Sequence, residues 1–135
     1  MPMKHLTVKE KENGAFEKMK ISFLYKNALA APKMQKIVIN VGTGTAIKKD
    51  KNKNEAIGDR LAKITGQKSA LRGAKQSISS FKVRQGDPIG VVVTMRGKRM
   101  YAFLEKLINV ALPRTKDFRG ISRGAVDNVG NLTIG

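Results

Sequence analysis

Apolar positions along the chain switch between two periods, and the switches mark out the elements. From Phe16 to Tyr25 the apolar side chains Phe16, Met19 and Phe23 recur at i, i+3 and i+7, one face of a helix. Residues 1–15 are polar with mixed charge and read as a frayed arm or a short helix lead-in. Pro32 is expected to end any helix before it, because it lacks an amide donor and restricts its predecessor. Between Gln35 and Val41 the period becomes two. Ile37, Ile39 and Val41 point one way, and Lys36, Val38 and Asn40 the other, which predicts a half-buried strand. Gly42-Thr43-Gly44-Thr45 breaks that strand, and Lys48 to Lys53 reads as a solvated, basic connection.

A second helix is predicted over Asn54–Thr65, with Ile57, Leu61 and Ile64 as its apolar face and Asn52 or Asn54 as its cap. Gly66 is placed to end it in the left-handed conformation. Residues 67–72 read as a short strand and 73–86 as a glycine-flanked, cation-rich loop. Ile89–Arg96 is the clearest strand: Ile89, Val91, Val93 and Met95 share one side, Val92, Thr94 and Arg96 the other, and Gly97 closes it. A strongly apolar helix is predicted over Lys98–Leu112, stopped by Pro113; the rest carries one strand beginning near Leu132. Mixed helices and strands without strict alternation predict an α+β fold. Its sheet is expected to be antiparallel or mixed, with helices on one face and a polar, basic opposite face.

Length and charge then narrow the class. The chain has 135 residues, the size of one domain, and 41% of them are hydrophobic, enough for a core. Lys and Arg number 27 against 10 Asp and Glu, a formal net charge of +17. Charge that dense repels itself unless a polyanion is near. Nucleic acid is the first candidate partner and an anionic membrane surface the second. No apolar run approaches the ~20 residues needed to span a bilayer, and no helix sets a lysine face against an apolar one well enough to favour the membrane.

Chemistry has few candidate actors. There are no cysteines, which removes disulfides, thiolate metal sites and cysteine nucleophiles. His5 is the only histidine and lies in the arm, where a surface role outweighs general-base work. Gly42-x-Gly44 follows a strand, but the third glycine of a dinucleotide motif would fall at Ile47, so a tight strand-exit turn is the better reading. A phosphate-binding enzyme therefore lacks its motif. No enzymatic activity, cofactor or metal is expected.

The stretch from Lys68 to Gly86 stands apart. Lys68, Arg72, Lys75, Lys82 and Arg84 carry charge with no acid among them, interleaved with Gln76, Ser77, Phe81 and Gln85. Cations attract phosphates, hydroxyls and amides bond sugar and phosphate oxygens, and an exposed ring stacks on a base. The bland alternative is a solvated loop with Phe81 tucked into the core. Arg96-Gly97-Lys98-Arg99 and the run from Arg114 to Arg123 extend the cationic surface.

Several long segments resemble one family, the universal ribosomal protein L-five of the large subunit. They are Pro32-Lys33-Met34-Gln35-Lys36-Ile37-Val38-Ile39-Asn40-Val41-Gly42, Ile64-Thr65-Gly66-Gln67-Lys68, Phe81-Lys82-Val83-Arg84-Gln85-Gly86-Asp87-Pro88-Ile89-Gly90 running on to Val93-Thr94-Met95-Arg96-Gly97, and Pro113-Arg114-Thr115-Lys116-Asp117-Phe118-Arg119-Gly120. The resemblance covers most of residues 16–135. It implies an antiparallel sheet with helices on one face and binding to 5S ribosomal RNA in the central protuberance. It also implies contacts to 23S ribosomal RNA, to other large-subunit proteins there, to peptidyl-site (P-site) tRNA through the Lys75–Gln85 loop, and to a small-subunit head protein.

The family's 5S-facing positions fall on Asn40, Gln67 and Thr94, and strand alternation adds Arg96. Lys75, Gln76, Ser77, Phe81, Lys82, Arg84 and Gln85 would face tRNA. Lys36, Lys68, Arg72, Arg99, Arg114 and Arg119 are the further candidate RNA contacts. The resemblance implies a single ribosomal-protein domain over residues 1–135 and leads one to expect a further strand and helix after Gly135. A cytoplasmic ribosome is the expected location, with an organellar ribosome equally compatible with the sequence.

Overall fold

A computed structural model describes residues 6–50 and 52–135; His5 lies outside them. The chain divides into two compact units, Met1–Glu105 and Lys106–Gly135.

In the first unit, helix α1 spans Val8–Phe23, beginning at Val8 rather than near Phe16. Its start is a capping box. The Thr7 hydroxyl accepts the Glu10 amide at 3.3 Å, and the Glu10 carboxylate accepts the Thr7 amide at 2.8 Å. Both bonds satisfy donors that a helix start leaves open, and the hydrogen bonding holds the Glu10 carboxyl below its ordinary range. No residue of α1 is fully buried. Polar ties anchor it instead: Glu12 accepts the Met34 amide at 2.7 Å and the Tyr101 hydroxyl, and Glu105 accepts the Val8 amide at 3.1 Å. The helix ends at Leu24 in the left-handed region, φ 54°, well before Pro32.

Strands β1 (Ile37–Gly42), β2 (Ala70–Gly73) and β3 (Pro88–Met95) form an antiparallel sheet in the order β1-β3-β2. In the register Ile37 faces Met95, Ile39 faces Val93 and Val41 faces Val91, so the predicted apolar faces coincide. Helices α3 (Lys53–Thr65) and α4 (Lys98–Lys106) supply Leu61 and Met100 to the core that Val91, Val93 and Met95 build from the sheet. Burying each such side chain contributes roughly 1.5–3 kcal/mol, and these residues are the frame on which the opposite sheet face is held.

α3 ends at Gly66, φ 75°, as expected. Its buried face keeps Ile57 and Leu61 of the predicted one but not Ile64. Ile64 is 53% exposed, while Asn54, Leu61 and Thr65 are buried and Ile57 is half-buried. Positions 54, 57, 61 and 65 share one side of the helix, and Ile64, about 100° round from Thr65, lies at the margin of that side beyond Ile57. Polarity on that side is partly offset by bonding: the Thr65 hydroxyl donates to the Leu61 carbonyl at 2.7 Å and the Asn54 amide nitrogen to the Pro88 carbonyl at 3.1 Å, while the Asn54 Oδ1 is buried without a partner. The short helix α2 (Gly44–Ile47) follows β1 directly, consistent with a strand-exit turn at Gly42-Thr43-Gly44.

The Glu12 bond raises the Tyr101 pKa above its ordinary 10.0; burial and the Glu12 charge act in the same direction. A raised value means the folded state holds the phenol proton more tightly. That stability is complete below about pH 10 and lost as pH rises past it. Stability measured by urea unfolding is expected to fall more steeply above pH 10 in the parent than in Tyr101→Phe. Identical alkaline slopes would show that the Glu12–Tyr101 tie does not anchor α1.

In the second unit, Leu107–Ala111 is a wide π-helical turn, followed by the helical turn α5 (Leu112–Arg114). Pro113 therefore does not stop the helix. Helical residues run on through Arg114, and the widened turn at Leu107–Ala111 lies just before Pro113, which has no amide to donate. No strand runs from Leu132; that residue makes a single antiparallel bridge to Val126. Asp127 organises the turn between them, accepting the Asn131 amide at 2.8 Å and its side-chain nitrogen at 2.9 Å, and these bonds hold its carboxyl below the usual range.

Candidate RNA interface

The strand period that buries Ile37, Ile39 and Val41 sends Val38 and Asn40 to the opposite face of the sheet. The register places Val38 beside Thr94, Asn40 beside Val92, Ala70 on the far side of Val92, and Gly42 and Arg72 on either side of Gly90. This open face is polar and basic at Asn40, Thr94 and Arg72. At its centre it is apolar, and Val92 is only 8% exposed. A Cβ at Gly90 would meet the Val41 carbonyl at 3.4 Å, the Arg72 Cβ at 3.7 Å and the Asn40 Oδ1 at 3.8 Å. Glycine there leaves the polar groups of both edge strands converging over bare backbone.

Residues 74–87 fold back as a closed hairpin rather than a loop on flexible flanks. Ile78 and Val83 exchange backbone hydrogen bonds at 2.9 and 3.2 Å, and Ala74 bonds to Asp87 and Gly86 at 2.8 and 2.9 Å. At its base Gly73 and Gly86 approach so closely that a Cβ on Gly73 would lie 3.1 Å from the Gly86 carbonyl oxygen. Further in, the Ser77 hydroxyl accepts the Gln85 amide at 2.9 Å and Asp87 accepts the Arg84 amide at 2.8 Å. Lys82 turns the tip in the left-handed region, φ 52°.

Between the open face and this hairpin lies a concavity of about 1150 Å³. Asn40 and Arg72 reach it from the sheet, Lys75, Gln76 and Phe81 from the hairpin, and Val38 and Val92 form part of its floor. Phe81 is 62% exposed, so the reading that tucks its ring into the core fails. Lys48 also lines the concavity and donates to the Phe81 carbonyl, which links the segment after α2 to the hairpin. By sequence Lys48 belongs to a solvated connection, and nothing local marks a contact 33 residues away.

The other predicted positions distribute as follows. Gln67 lies between α3 and β2, and its amide nitrogen donates to the Thr94 carbonyl, so the two stand side by side. Thr94 is half-buried, and Arg96 is exposed just past the end of β3. Lys36 and Lys68 are exposed beside the starts of β1 and β2. Ser77, Lys82 and Arg84 line a second depression of about 520 Å³ on the hairpin. Arg99 stands on α4, in the helical layer, and is not brought to the concavity. Arg114 and Arg119 are exposed in the second unit.

Residues 27–84 match the family described as ribosomal protein L5, and residues 88–135 match the C-terminal region of the same ribosomal family. The chain is 48% identical over 124 residues to the large ribosomal subunit protein uL5 of Trichlorobacter lovleyi, covering 92% of this chain and 69% of the relative. It is 51% identical over 113 residues to the protein of the same name from Limosilactobacillus fermentum, covering 84% and 62%. For that of Natranaerobius thermophilus the figures are 50% over 118 residues, 87% and 65%. The chain thus spans between 62 and 69% of the length of these relatives.

Proposed function

Since the chain belongs to the ribosomal protein L5 family, we propose that the open face of its sheet holds 5S ribosomal RNA and the ribosomal RNA around it, while the 74–87 hairpin reaches tRNA. The protein is a structural constituent of the large subunit of the cytoplasmic ribosome, not an enzyme. The observation that carries the finer reading is the concavity. It gathers amides at Asn40 and Gln76, cations at Arg72 and Lys75, and the exposed Phe81 ring around an apolar, glycine-lined floor. Folded RNA is recognised by such sets: cations and amides on phosphate and ribose oxygens, rings on unstacked bases.

Within this reading Asn40, Gln67, Thr94 and Arg96 contact 5S RNA, and Lys36, Lys68, Arg72, Arg99, Arg114 and Arg119 contact ribosomal RNA including 23S. The hairpin tip, through Lys75, Gln76, Ser77, Phe81, Lys82, Arg84 and Gln85, reaches P-site tRNA. The remaining partners are neighbouring large-subunit proteins and a small-subunit head protein. The closed hairpin supports the tRNA assignment physically, since a braced projection presents its cations at lower entropic cost than a free loop.

The test contrasts two variants at one salt concentration. Asn40→Ala with Thr94→Ala is expected to weaken 5S binding about tenfold or more, at roughly 0.5–1.5 kcal/mol per hydrogen bond lost. Its thermal melt should stay near the parent's, because neither side chain belongs to the core. Lys75→Ala with Lys82→Ala and Arg84→Ala is expected to spare most 5S affinity and to reduce crosslinking to P-site tRNA. Parent-like 5S binding by the first variant would remove the sheet face as the 5S site. Persistent tRNA crosslinks in the second would remove the hairpin.

A further inference from the structure

The C-terminal end of α1 exposes apolar surface that the core does not use. Ile21 is 82% exposed, Phe23 61% and Leu24 82%. The Phe23 and Tyr25 rings stack on each other, centroids 5.7 Å apart and planes 16° from parallel. Leu24 between them holds a left-handed φ of 54°, a conformation that crowds the Cβ of any residue but glycine. Charge around the rings has one dominant sign. Residues 16–36 carry Lys18, Lys20, Lys26, Lys33 and Lys36 against Glu17 alone, and all five lysines are exposed. α1 is tied through Glu12 and Glu105 to α4, which belongs to the helical layer. Neither ring lines the concavity on the open face.

We propose that this end of α1 is a second RNA contact, where an unstacked base of a single-stranded segment stacks on the Phe23–Tyr25 pair while Lys18, Lys20 and Lys26 take the flanking phosphates. Three features favour RNA over a protein partner. A ring already stacked in parallel offers a flat outer face of base dimensions, and the base extends an existing column without reordering either side chain. The lysines match a polyanion, whereas the hydrophobic centre of a protein interface is depleted of lysine. Stacking is tolerant of base identity, so this contact anchors rather than reads sequence. The proposal rests on RNA being the protein's partner, but not on the open face being its 5S site.

Tyrosine fluorescence tests it. The chain has two tyrosines and no tryptophan, so the emission of the parent protein less that of Tyr25→Phe belongs to Tyr25, with the Tyr101 tie of α1 left in place. An unstructured RNA of about 12 nucleotides, long enough to track a basic groove, is titrated into both full-length proteins. Tyr25 emission is expected to be quenched, with affinity about tenfold lower in Phe23→Leu, which keeps apolar bulk but removes the ring. Lys20→Gln with Lys26→Gln should make the salt dependence shallower by about 0.7 for each phosphate no longer neutralised. The Asn40→Ala, Thr94→Ala protein should be quenched as the parent is, which separates this contact from the open face. Unchanged Tyr25 emission on saturation, or parent affinity in Phe23→Leu, overturns the proposal and leaves the patch to a protein neighbour.

Discussion

Raising monovalent salt from about 50 to 200 mM is expected to weaken binding of 5S ribosomal RNA by about a thousandfold, the loss that follows when six phosphates are neutralised. The physical source is counterion release. Each phosphate covered by a lysine or arginine frees condensed cations, and the gain shrinks as bulk salt rises. The protein has the charge for this: +17 overall, with Arg72 and Lys48 on the concavity and Lys36, Lys68 and Arg96 exposed beside the sheet. Hydrogen bonds from Asn40 and Thr94 are neutral and contribute almost no salt dependence. Filter binding across the salt range, plotted as log affinity against log concentration, measures the slope. A line corresponding to fewer than about two phosphates would mean that neutral contacts dominate, and the basic surface would lose its assigned role.

Met95→Ala is expected to destabilise the fold by about 2–5 kcal/mol, the range for emptying a large buried side chain. Met95 is 0% exposed, pairs with Ile37 in the sheet and belongs to one cluster with Val91, Val93, Leu61 and Met100. A domain of this size holds roughly 5–15 kcal/mol in all, so the variant loses a large share of it. Met95→Leu conserves volume and should recover most of that loss. Val38→Ala, on the open face at 48% exposure, should change stability little. Urea midpoints compare the three. A parent-like midpoint for Met95→Ala would show that the sheet–helix core is not where the stability resides. In RNA-binding assays the expected defect is indirect: the open face is the back of this core, and a loosened β3 no longer holds Thr94 beside β1 or Gly90 between β1 and β2.

What sequence alone determined was whatever depends on neighbours along the chain. Period two sorted Ile37, Ile39 and Val41 from Val38 and Asn40, and Val91, Val93 and Met95 from Val92 and Thr94, because alternation is a property of the extended backbone itself. Ile89, expected on the core face, lines the concavity instead. Gly66 ended its helix because a left-handed residue suits glycine locally. The Thr7-x-x-Glu10 capping box is equally local but was missed, because the apolar stripe begins only at Phe16 and residues 1–15 read as an arm or lead-in. The formal charge required no fold at all to point to a polyanion.

The tertiary structure decided what depends on residues far apart. Ile64 or Thr65 could not be chosen as the buried position until α3 met β3, because helical stripes differ by a rotation that only a partner surface selects. Placing β3 between β1 and β2 followed from pairing segments separated by dozens of residues, for which the chain carries no local signal. The concavity required that pairing and a hairpin closed at Gly73 and Gly86, where a Cβ on Gly73 would crowd the Gly86 backbone at 3.1 Å. Asn40 was readable as outward-facing from its own strand. That it shares a groove with Arg72, Lys75 and Phe81 was set by long-range contacts, whose free energy appears only once the intervening loops are closed.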